Sequence, residues 1–136
     1  MTATPTTTPA SLHITPDMFT MGGVFYPKGY AFVMFPSHDQ ASAVDVSGFE
    51  AAMLLAPAQV LTDVAQVKGE SDVDLPAVGT EGATVRKYVD LARQGHWALL
   101  VKVGSSEDTE RLMQSARSAG FSYGQRYHLL AMEDLE

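Results

Sequence analysis

From Lys28 the chain reads Lys-Gly-Tyr-Ala-Phe-Val-Met-Phe, an apolar octamer that predicts a strand. A strand sends successive side chains to opposite faces. Gly29, Ala31, Val33 and Phe35 therefore share one face, small and apolar enough to lie under helices. Lys28, Tyr30, Phe32 and Met34 share the other, aromatic with a basic end. Such a face needs cover from RNA, another subunit or part of the same chain.

The rest of the pattern extends this into a domain. Upstream, Val24-Phe25-Tyr26 fits a short edge strand. Downstream, Ser37 with Gln40 three residues on predicts a capping box, opening a helix to about Val46 that Gly48 ends. The run Ala51–Leu55 predicts a second strand, and Pro57 then sits at a helix start. Val60, Val64 and Val67 line one helical face up to Gly69, and Gly69–Gly79 reads as an acidic loop. A long helix is expected from Thr80 to Gln94, because Val85, Tyr88, Val89 and Ala92 recur at helical spacing and Gly95 follows. Trp97–Val103 is a strong strand. Ser105 or Ser106 caps the next helix, Glu107 and Arg111 are spaced to pair along it, and Leu112, Met113 and Ala116 face the core. Gly120 ends that helix, Tyr123–Met132 forms the last strand, and Glu133–Glu136 makes an acidic end.

This order is α+β. With the middle helices set aside it becomes βαββαβ, the ferredoxin-like plan: an antiparallel sheet with helices on one face, the other face open, and a helical insertion between strands 2 and 3. Many functions share that plan, so the fold alone does not select one.

Composition narrows the class. The chain has 136 residues, 46% hydrophobic and 18% charged, which suits one globular domain over residues 12–136. Residues 1–11 are Thr/Pro-rich and are expected to be disordered. They carry no Lys, Arg or apolar core of a secretory leader. No apolar run approaches the ~20 residues of a membrane span. There is no cysteine. These features lead us to expect a cytoplasmic protein with no membrane partner and no cofactor.

The octamer also matches, position for position, the octapeptide that identifies RNA-recognition-motif domains: basic, glycine, aromatic, small, aromatic, aliphatic, any, aromatic. Over residues 28–35 the chain resembles that family. The resemblance implies a central strand whose Tyr30 and Phe32 stack on RNA bases, with Lys28 and Arg126 on phosphate. The layout of the segment from Thr80 to Leu135 is also similar to that of small bacterial stress-associated proteins of unassigned biochemistry. Charge bears on the RNA expectation. Nine basic against sixteen acidic residues give a net charge of −7, which repels a polyanion overall.

Candidate chemistry is sparse. Ser37-His38-Asp39 contains the three triad residue types, but a triad is a matter of geometry, and Ser37 fits a helix cap. His13, His38, His96 and His128 show no paired metal-ligand spacing. Gly79-Thr80-Glu81-Gly82 lacks the spacing of a phosphate loop, and Glu70, Asp72 and Asp74 lack the remaining ligands of a Ca²⁺ loop. We therefore expect neither a catalytic nor a metal site. The last strand, with Tyr123, Arg126, Tyr127 and His128, is the other functional signal. Its Arg126 and His128 would extend the open face beside Lys28, Tyr30, Phe32 and Met34. The leading expectation is a non-enzymatic binding or regulatory domain that forms a homodimer through that face. The alternative is single-stranded RNA binding by the octapeptide. A third reading is a ligand site using His96, His128 or Arg126 in a cleft under the inserted helices.

Overall fold

The computed structural model describes residues 14–19, 24–65, 79–128 and 131–136. The Thr/Pro-rich tail, His13, Val67, the acidic stretch with Glu70, Asp72 and Asp74, and Leu129–Leu130 lie outside the described residues. The elements are β1 (Tyr30–Phe35), α1 (His38–Ser42), β2 (Ala52–Leu55), α2 (Pro57–Gln59), which continues as a π-helical stretch over Val60–Val64, α3 (Gly79–Arg93), β3 (Trp97–Lys102), α4 (Ser106–Ala119), β4 (Tyr123–Tyr127) and β5 (Met132–Asp134). The five strands make one antiparallel sheet in the order β2-β3-β1-β4-β5.

Local chemistry places most boundaries. Ser37 caps α1, its hydroxyl accepting from the Gln40 N–H at 3.2 Å. Ser105 caps α4 by accepting from the Asp108 N–H at 3.1 Å. Gly120 ends α4 in the left-handed conformation, with φ of 87°. The helix after Ser37 is shorter than expected, ending at Ser42 rather than near Val46. Arg111 pairs with Asp108 at 3.0 Å, three residues back, in place of the expected Glu107.

The octapeptide strand is central, and both its faces are buried. Ala31, Val33 and Phe35 pack with Ala41 and Val44 at the end of β1, and with Leu112, Met113 and Ala116 of α4. Phe32 and Met34 pack with Val85, Tyr88, Val89 and Ala92 of α3, with Val60 and Val64, and with Met18, Phe25 and Tyr26 of the N-terminal segment. This corrects the expectation of helices on one face only. The inserted helix α3 has an apolar stripe that must be buried somewhere. The second sheet face is an apolar surface of matching extent, and each covers the other.

A second correction concerns the C-terminal end. The expected strand Tyr123–Met132 is two strands. The His128 N–H donates to the Ala131 carbonyl at 2.8 Å, turning the chain so that β5 returns beside β4. The acidic end is therefore partly an edge strand.

Candidate functional site

The six residues expected on one binding face separate into three places. Phe32 and Met34 have no exposed surface. The Phe32 ring lies 4.2 Å from that of Tyr88 and 5.5 Å from that of Phe25, centroid to centroid. A base could reach Phe32 only if α3 and the N-terminal segment moved away. Arg126 pairs in register with Ala31 and Glu133, which puts it on the α4 face, opposite Tyr30 and Phe32. Lys28 and Tyr30 lie at one end of the sheet, while the His128 side chain turns to Glu133, the residue in register with Arg126. The Gly29 N–H donates to the Tyr127 carbonyl at 2.9 Å, which ties the Lys28–Gly29 turn to the end of β4. Gly29 has φ of 86°, which a side chain would strain. Lys28 is exposed, Tyr30 is half-buried, and His128 Nε2 lies 2.9 Å from Glu133 Oε1.

What the octapeptide face holds instead is a tyrosine cluster. All five tyrosines of the chain belong to it. The Tyr88 and Tyr127 hydroxyls meet at 2.7 Å, and Tyr26 donates to the His128 carbonyl at 2.8 Å. Buried Gln125 donates to the Tyr123 hydroxyl at 3.0 Å and to the Asp134 carboxylate. Lys87 sits 5.7 Å from the Tyr123 ring centre. Burial, reinforced by neighbouring Tyr127, pushes the Tyr88 hydroxyl well above its ordinary pKa. Gln125 was not singled out from the sequence. Its even spacing from Tyr123 and Tyr127 was the available signal.

The histidines do not converge. His38 Nδ1 lies 3.3 Å from Asp39, and its Nε2 lies 3.3 Å from Ser42 rather than from Ser37, which is engaged as a cap. That chain of contacts has triad order, but the Asp39 side chain is 99% exposed, so water competes for it at every oxygen. His96 Nδ1 lies 2.9 Å from the Ser122 hydroxyl, which itself donates to the Met34 carbonyl. Partial desolvation lowers the His96 pKa. Among the described residues no group of three His, Asp or Glu side chains is placed to hold a metal ion. No helix among them is long and apolar enough to cross a membrane.

The sheet edges are the remaining candidate surfaces, and their chemistry differs. On the outer side of β5, Met132 and Asp134 direct their N–H and C=O groups away from β4, as the Ala131 and Leu135 bonds to β4 require by alternation. This strand carries Glu133 and Asp134, with Glu136 just beyond. At the other edge, the Lys102 N–H donates to the Ala51 carbonyl at 2.9 Å. Alternation then turns the Met53 and Leu55 backbone toward β3 and the Ala52 and Leu54 backbone outward. The sequence of β2 is Ala-Met-Leu-Leu, with no charge and no proline. Met53 and Leu54 are half-buried, one on each sheet face. Natural edges are protected by charge, proline, bulges, cover or short length; β2 is uncharged, but it is only four residues long and its Ala52 and Leu55 are buried. Compared with protein-family models, curated proteins and solved structures, the chain matches none.

Proposed function

We propose that this chain is a non-enzymatic binding domain that works by self-association. One observation carries the reading: the uncharged outer edge of β2, whose Ala52 and Leu54 backbone groups face away from the sheet. Strand addition at a sheet edge supplies main-chain hydrogen bonds as affinity and side-chain pockets as specificity. The acidic β5 edge discourages the same use, because two copies would bring like charges together. The aromatic face expected to form the interface is already occupied by α3, so the association surface moves from the sheet face to the sheet edge.

We read the β1-α1-β2 and β3-α4-β4 units as a ferredoxin-like plan. β5 and the helical cover on the second face are additions to it.

Light scattering over a concentration series tests the proposal. A mass that rises to that of a dimer supports it, and a constant monomer mass overturns it. Titration with a single-stranded RNA pool at low salt separates the alternative. Binding that is lost in Tyr30→Ala by a monomeric protein would replace self-association with RNA binding at the Lys28–Tyr30 end.

A further inference from the structure

We draw no further inference here: the strongest candidate, the His96–Ser122 side-chain pair at the end of the sheet where β3 and β4 begin, carries nothing, because among the described residues the His96 imidazole meets only the Ser122 hydroxyl and its single mark as a site is a pKa lowered by partial desolvation.

Discussion

Tyr88 and Tyr127 meet hydroxyl to hydroxyl at 2.7 Å with almost no surface exposed. Such a pair is stabilising only while both members are present, because a buried hydroxyl left alone keeps its full desolvation cost. Tyr127→Phe removes the hydroxyl that Tyr88 faces and is expected to cost about 1–3 kcal/mol in urea unfolding. Burial, with Tyr127 adjacent, raises the Tyr88 pKa well above its ordinary 10.0. The folded chain therefore keeps a proton that the unfolded chain releases. Stability is full below that ordinary value and is lost as the pH rises beyond it. Tyr88→Phe should lessen the alkaline decline of the melting temperature, whatever it does at neutral pH. Phe32 makes a contrasting case. As a fully buried ring under α3, Phe32→Ala is expected to cost about 3–5 kcal/mol. A surface stacking residue would change stability by no more than about 0.5 kcal/mol. Chemical denaturation of this one variant shows whether the octapeptide aromatic is core.

At the scale of elements, α4 shows how a few end groups define a helix. Ser105 opens it, and Asp108 in its first turn accepts from the Gly104 N–H at 3.0 Å and from Arg111 at 3.0 Å. Those bonds, the Gly104 one first, hold the Asp108 carboxyl below its ordinary value, with Arg126 adding a weaker attraction across from β4. The Arg111 guanidinium also lies 4.2 Å from the Phe49 ring centre, linking α4 to the loop before β2. Ser105→Ala should lower stability by about 1 kcal/mol. Gly120→Ala should cost about 1–2 kcal/mol, because its φ of 87° suits only glycine well. A built Cβ there would also come within 2.9 Å of the Gln40 amide, which is donating to the Ala119 carbonyl. A neutral Gly120→Ala variant by thermal unfolding would show that this turn can relax.

At the scale of the molecule, the proposed self-association has a charge dependence that can be worked out. Each copy carries a net charge of −7, so the copies repel at long range. Raising ionic strength screens that repulsion and should tighten the dimer, the reverse of what a salt-bridged interface does. Leu54→Lys places a charge at the edge and should hold the protein monomeric in sedimentation without loss of helix content.

The sequence alone was enough for most local structure. The serine caps, the terminating Gly95 and Gly120 and the 85, 88, 89, 92 stripe each act within one or two turns of chain, so their signals survive without tertiary context, whereas the expected stop at Gly48 comes six residues after α1 has ended. The alternation in the octapeptide likewise sorted Ala31, Val33 and Phe35 from Phe32 and Met34. What covers each face was not legible there, because cover is a property of two surfaces far apart in the chain. Only the tertiary structure decided that α3 fills the aromatic face and that Arg126 points to the opposite side. Only it decided that the last strand folds back as β5. Which N–H and C=O groups at an edge lack partners depends on strand order and register, and side-chain identity does not record either.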